Sequence, residues 1–265
     1  IGKTVGVRYP GSKTMAKGHS KKRFFLTART TGRAIAEKTL QDMREKGLKL
    51  RAVTLTAKDK ICTHPHASCH PDSCPNSSGY FERLKEGLLA ALTYEELNRS
   101  KIEELAAEHK LCPFEYSLDI ALFSDLIICD YNYAFDPRVY LRRFFDGKRR
   151  GHTILVDEAH NLVNRGRDMY SAELCKGPLV DLKRTLGPTN PLTPYIQAIN
   201  KWFIEKAKAL KNENIRQWAQ EEKPEELLDK ISQFRQMAEM SLVNDRHMPY
   251  RDELLDLYFQ AITFE

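Results

Sequence analysis

What most limits how this chain folds is an α/β pattern that stops, gives way to cysteines, and then resumes. Residues 58–78 hold three cysteines, three histidines and three prolines, with little apolar periodicity. Such a stretch cannot fold on a hydrophobic core of its own. It must be held by the domain it interrupts or by a bound metal. Before it, Arg23-Phe24-Phe25-Leu26-Thr27-Ala28 is an apolar run of strand length. Residues 31–46 follow with Ala36, Leu40 and Met43 at helical spacing, and Gly47 stands where a helix stops. Leu48 to Thr56 alternates like a strand. Strand, helix, strand is the unit of a parallel sheet.

After the interruption, helices are expected over 79–92 and 100–110, with capping boxes at Thr93/Glu96 and Ser100/Glu103. Apolar strands return at Asp125–Cys129 and Thr153–Val156, both suited to burial inside a parallel sheet. Beyond about residue 167 no strand pattern appears. Thr193-Pro194 reads as a helix start, and helical patterns fill 194–210, 213–221, 224–241 and 250–263. The sequence therefore divides into residues 1–57, a cysteine-bearing insert over 58–115, a resumed α/β stretch over 116–166 and a helical region over 167–265.

There is no apolar run long enough for a membrane span. The opening Ile1-Gly2-Lys3-Thr4 carries neither an initiator Met nor a signal peptide, so the chain is expected to be a piece of something longer. Lys and Arg number 42 against 36 acidic residues. That small excess says less than its placement, in basic clusters at Lys17–Arg23 and at Arg142, Arg143, Lys148, Arg149 and Arg150. Acidic residues gather at Glu221, Glu222, Glu225 and Glu226. Each cluster is either a solvated face or a contact surface.

Gly2-Lys3-Thr4 matches the tail of a phosphate-binding loop, in which the lysine reaches the β and γ phosphates and the hydroxyl binds Mg²⁺. A bare GKT is common by chance. Asp157-Glu158-Ala159-His160 strengthens it by following the strand Thr153–Val156 directly. An acid at the end of a buried parallel strand is where a Mg²⁺-holding aspartate belongs. The next residue, Glu158, is placed to orient or deprotonate an attacking water. The bland alternative is an acidic helix start with Asp157 as its cap.

The six cysteines stand at 62, 69, 74, 112, 129 and 175. In a chain without a targeting signal, metal is a better reading than disulfides. Cys62, Cys69, Cys74 and Cys112 supply four thiolates, enough for Zn²⁺ or for an iron–sulfur cluster. The long first gap and the solitary fourth cysteine tilt the spacing toward a cluster. His64, His66 and His70 read as solvated loop residues. Cys129, inside an apolar strand, reads as a core residue, and Cys175 as structural too.

Taken together, these pieces resemble the XPD/DinG family of iron–sulfur superfamily 2 DNA helicases, in their bacterial DinG-like form. Phe25-Leu26-Thr27-Ala28-Arg29-Thr30 resembles the family's motif Ia, and Cys112-Pro113-Phe114-Glu115 the segment with its last cluster cysteine. Asp125 to Pro137 resembles the strand and loop before the DEAH box, and Val156 to Leu162 motif II itself. The likeness covers residues 1–166, and the tail matches only by position, where the family keeps its arch domain.

The resemblance implies a RecA-like P-loop sheet, an iron–sulfur insert and an arch-like helical region. It implies that Gly2, Lys3 and Thr4 bind ATP and Mg²⁺, that Asp157 holds Mg²⁺ and that Glu158 is the catalytic base. His160 would couple the nucleotide to the other motor lobe. Cys62, Cys69, Cys74 and Cys112 would hold a 4Fe–4S cluster, and Arg29 and Thr30 would touch the DNA backbone. The implied activity is 5′→3′ DNA unwinding, with single-stranded and forked or tailed duplex DNA as partners, in a cytoplasmic, monomeric protein of DNA repair. The first half of the phosphate loop and the second motor lobe are absent, so this chain alone is expected not to hydrolyse ATP at a useful rate.

Tyr131, Tyr133 and Phe135, with Tyr140, Phe144 and Phe145, are either core residues or platforms for stacking bases. Two competing readings remain: a zinc- or cluster-stabilised nucleic-acid-binding module without motor activity, and a P-loop ATPase that moves protein.

Overall fold

The computed structural model describes residues 22–146, 151–245 and 247–265. Gly2, Lys3 and Thr4, most of the Lys17–Arg23 cluster, and Lys148, Arg149 and Arg150 lie outside them. The chain divides into two compact units, one ending at Met169 and the other spanning Tyr170–Glu265.

The first unit is built on five parallel strands: β1 (Lys22–Leu26), β2 (Ala52–Thr54), β3 (Glu96–Leu97), β4 (Leu126–Cys129) and β5 (His152–Val156). Their order is β3-β2-β4-β1-β5, with Phe24 in register with Ile127 on one side and Ile154 on the other. Side chains alternate across a strand, and the two faces bury different sets. Phe24, Leu26, Val53, Ile127 and Cys129 join one large core. Phe25, Ala52, Leu126 and Ile128 join a smaller one with Ala36 and Leu40 of helix α1 (Thr30–Arg44). Strands β1 and β4, buried on both faces, read as unbroken apolar runs; β5, expected to be buried too, stands at the end of the described strand order, half-buried and with Ile154 exposed.

Helix α1 stops at Gly47 as expected. Its N–H donates to the Arg44 carbonyl at 2.8 Å, and the Leu48 N–H to Met43 at 3.1 Å. This closing pair of bonds needs the positive φ of 90° that Gly47 adopts. Helix α2 (Lys58–Ile61) begins the cysteine segment, followed by α3 (Tyr80–Ala91), α4 (Arg99–Glu108) and α5 (Pro113–Ala121).

The expected capping boxes are not used. Asn98 caps α4, its side chain accepting from the Lys101 N–H at 3.0 Å. Thr93 instead donates back to the Ala90 carbonyl at 2.7 Å. Glu96 lies in β3, a two-residue strand too short to show a period.

Short helices α6 (Asn132–Phe135) and α7 (Arg142–Phe145) connect β4 to β5. A 3₁₀ turn (Ala159–Asn161) and α8 (Leu162–Met169) follow β5. Tyr131, Tyr133 and Phe144 are buried in the large core. The choice left open for these aromatics thus falls, for those three, on core rather than stacking platform.

The second unit comprises helices α9 (Lys176–Leu186), α10 (Thr193–Asn212), α11 (Glu225–Asn244) and α12 (Arg251–Phe264). Its core uses Ile196 and Ile199 of α10, Leu227, Ile231, Phe234 and Ala238 of α11, and Leu254, Leu257 and Ala261 of α12, the three-and-four spacing of one helix face. No helix forms over 213–221. Asn214, at φ 57°, ends α10 with the same paired bonds as Gly47, from Asn214 to Lys211 and from Ile215 to Leu210. Cys175 is exposed rather than packed, its thiol against Glu173 at 3.3 Å. No described helix is long and apolar enough to cross a membrane.

Candidate functional site

In an open parallel sheet, ligands gather outside the carboxyl ends of the strands. Three neighbouring strands here deliver chemistry to that edge: Thr27 after β1, Tyr131 after β4 and Asp157-Glu158 after β5. The Asp157 N–H continues the ladder by donating to Leu26 at 2.9 Å. Thr27, buried, donates from Oγ1 to Asp157 Oδ2 at 3.3 Å. The Tyr131 hydroxyl donates to the Asp157 carbonyl and, at 3.2 Å, to that of Glu158. Burial first, then the Asp157 and Glu158 carboxylates, push the Tyr131 phenol above its ordinary range, so it stays a proton donor.

Glu158 itself has φ 50°, an uncommon conformation for a residue other than Gly. Its carbonyl takes further bonds from the Asn161 backbone N–H at 2.9 Å and Nδ2 at 3.1 Å. The Glu158 carboxylate is exposed beside His160, with Oε2 3.2 Å from Nδ1. Asp157, Glu158, Thr27, Arg29, Gly32, Tyr131 and Asn161 line one cleft of about 140 Å³. Gly32 permits the close approach of α1. A Cβ there would collide with Thr27 Oγ1 and come within 3.0 Å of Asp157 Oδ2. Arg29 and Thr30, both exposed, stand at the start of that helix.

The cysteine segment has a different construction. Its backbone runs through short turns, His64–Ala67, His70–Cys74 and Cys74–Ser78, and it is anchored by the buried Ile61. Asn76 Nδ2 donates to Thr63 Oγ1 at 3.0 Å, and Arg99 to the Lys60 carbonyl at 2.7 Å. Cys69, Cys74 and Cys112 line a cavity of about 510 Å³ with Lys58, Tyr80, Phe114, Asp119 and Arg143 among its other walls. Cys62 is not in that lining but is close enough for its charge to act on Cys112 and Lys58.

Burial pushes the Cys112 thiol up, while the Glu115 and Phe114 N–H groups at the start of α5 pull the other way. A helix start favours thiolate over thiol. The Lys58 ammonium is held above its usual range chiefly by its hydrogen bond to the Cys69 sulfur. Among the described residues, no three His, Cys, Asp or Glu side chains close around one ion-sized point. The donors that are present, three thiols around one cavity and a fourth beside it, fit a thiolate-held group of more than one atom. His66 and His70 are exposed and His64 half-buried. Cys129 is wholly buried, and burial raises its thiol far above the usual range.

Around Asp157 and Glu158, both named from sequence, the structure brings Thr27, Gly32, Tyr131 and Asn161, none of which the sequence pointed to as parts of this corner. Tyr131 had a usable signal, since it stands two residues beyond the end of a buried parallel strand. Thr27 and Gly32 act by contact across more than a hundred residues and had none.

Residues 27–179, more than half of the chain, match the DEAD_2 family. A chicken (Gallus gallus) Fanconi anemia group J protein homolog is 24% identical over 143 residues, covering 47% of this chain and 11% of that protein. The cattle (Bos taurus) regulator of telomere elongation helicase 1 is 24% identical over 152 residues, covering 51% of this chain and 12% of that protein. The chain thus spans about a tenth of the length of these curated relatives. A solved XPD helicase aligns over 92% of this chain and 42% of its own, at 16% identity and a TM-score of 0.47. The match begins at Thr27, the residue after β1 that meets Asp157, and runs past the DEAH box: the chain belongs to the DEAD_2 family of XPD/DinG-like helicases.

Proposed function

We propose that this chain is part of an ATP-dependent 5′→3′ DNA helicase, with its domains divided as 1–57 and 116–166 for the motor lobe, 58–115 for an iron–sulfur insert and 167–265 for an arch-like region. The observation that carries the reading is the Asp157-Glu158 pair, delivered by β5 to the carboxyl edge of a parallel sheet and braced from β1 and β4. Asp157 would hold Mg²⁺. Glu158, exposed to the cleft, would take the proton of the water that attacks the γ-phosphate of ATP. Lys3 and Thr4, outside the described residues, would complete the phosphate and Mg²⁺ contacts. His160, against the Glu158 carboxylate, is placed to report nucleotide state to another lobe.

Cys62, Cys69, Cys74 and Cys112 would hold a 4Fe–4S cluster, which would supply covalent cross-linking to a segment short of regular structure. Arg29 and Thr30 would contact the DNA backbone, where binding through phosphates falls steeply with salt. In the protein that carries this chain, ATP-driven unwinding of a 5′-tailed duplex and its loss in Glu158→Gln are the expected results. Unwinding that survives Glu158→Gln would remove Glu158 from its role. Unwinding of 3′-tailed duplex alone would reverse the polarity.

A further inference from the structure

We propose that Tyr131 is a positioning residue for the Asp157-Glu158 pair, its hydroxyl fixing from the end of β4 the two backbone carbonyls that set where both carboxylates stand. The inference rests on the nucleotide reading above and deepens it. A glutamate at φ 50° is unfavourable on its own, so something must hold it there. The Asp157 N–H and carboxylate are tied to β1 through Leu26 and Thr27. The Glu158 carbonyl is tied forward to Asn161. Tyr131 alone among these partners reaches both carbonyls and so spans the peptide at which the chain turns.

Its ring is completely buried in the large core, so the hydroxyl is a post standing on packed ground. Tyr131 touches no reacting atom in this scheme. It acts through the peptide that joins the Mg²⁺ ligand to the base. Loss of the hydroxyl would leave both carboxylates present but would let the turn relax toward ordinary φ, swinging Glu158 away from Asp157.

The test compares Tyr131→Phe, which keeps the packed ring, with Thr27→Val, which removes only the carboxylate contact. Hydrogen exchange of the 157–161 amides is measured without nucleotide. Binding of a fluorescent ATP analogue is then titrated with Mg²⁺ and repeated in EDTA. In Tyr131→Phe, exchange across 158–161 should quicken about five- to tenfold, the scale of one lost hydrogen bond. The Mg²⁺ concentration for half-maximal binding should rise by a similar factor, with metal-free binding unchanged. Thr27→Val should shift the Mg²⁺ dependence without quickening exchange at 158–161. Unchanged exchange in Tyr131→Phe would overturn the proposal, as would equal loosening by Thr27→Val. Both measurements are made in the protein that carries this chain, and quickened exchange there without any binding of Mg²⁺–nucleotide would sustain the clamp and sink the nucleotide reading instead.

Discussion

The DEAH corner and the cysteine cavity belong to the same unit but are stabilised by different means. At the corner, the Asp157-Glu158 backbone is fixed by the chain itself, through a strand ladder, a buried tyrosine and a close helix approach. At the cavity, Cys69 and Cys74 lie outside regular structure and Cys112 just ahead of α5, while α3 and α5 supply Tyr80, Phe114 and Asp119 to the walls. A site made by packing exists before its ligand arrives. A site made of loops and thiols takes a large share of its order from what binds there.

The sharpest way to break this contrast is to remove a thiol. In anaerobically purified protein, Cys112→Ser should cost the bound iron and sulfide, about four of each for a Cys₄-held cluster. It should also open residues 62–79 to proteolysis while hydrogen exchange at β1 and β5 stays slow. Equal loosening of both regions would mean that they are one cooperative structure and the contrast is false.

A smaller effect is expected at the corner from Gly32→Ala. Its methyl has no room against Thr27 and Asp157, and overpacking of this kind costs about 1–3 kcal/mol, measurable as a lower urea midpoint with the iron and sulfide content of the purified protein unchanged. Asn98→Ala removes the cap of α4 and should cost about 1 kcal/mol. Because α4 packs on α5, its exchange signature should appear beside Cys112 and not beside Asp157. The smallest change has the opposite sign. Glu158→Gly relieves a left-handed glutamate, worth ~1–2 kcal/mol, against glycine's greater chain entropy of about 0.5–1 kcal/mol. The variant should be more stable by about 0.5 kcal/mol in thermal unfolding while losing the proposed base. A less stable variant would show that the turn is not strained.

How much of this was legible beforehand follows the range of the interactions. Strands β1 and β4 were readable because burial on both faces leaves an unbroken apolar run, whereas β5 was readable from the same kind of run although its residues are only half-buried and Ile154 is exposed. The helix stop at Gly47 was readable because only a few residue types tolerate its φ. Asn98 was overlooked because neighbouring Thr93 and Ser100 offered the same chemistry on paper, and only the packed start of α4 selects among them. The false helix over 213–221 came from composition that is helix-compatible, overruled by a termination bond pattern that a single asparagine makes possible. Asp157 and Glu158 were legible as a motif. Their braces were not, since Thr27 and Tyr131 meet them only once the sheet is ordered.

That strand order has a consequence for the chain during its synthesis. Phe24 is made well before its two partners, Ile127 and Ile154. At about 5–20 residues per second, β1 waits on the order of ten seconds for β5 to emerge. All four thiols of the insert leave the ribosome inside that interval. The four thiols are therefore exposed to the cell's cofactor supply, and to its oxidants, before the sheet that their segment interrupts has closed.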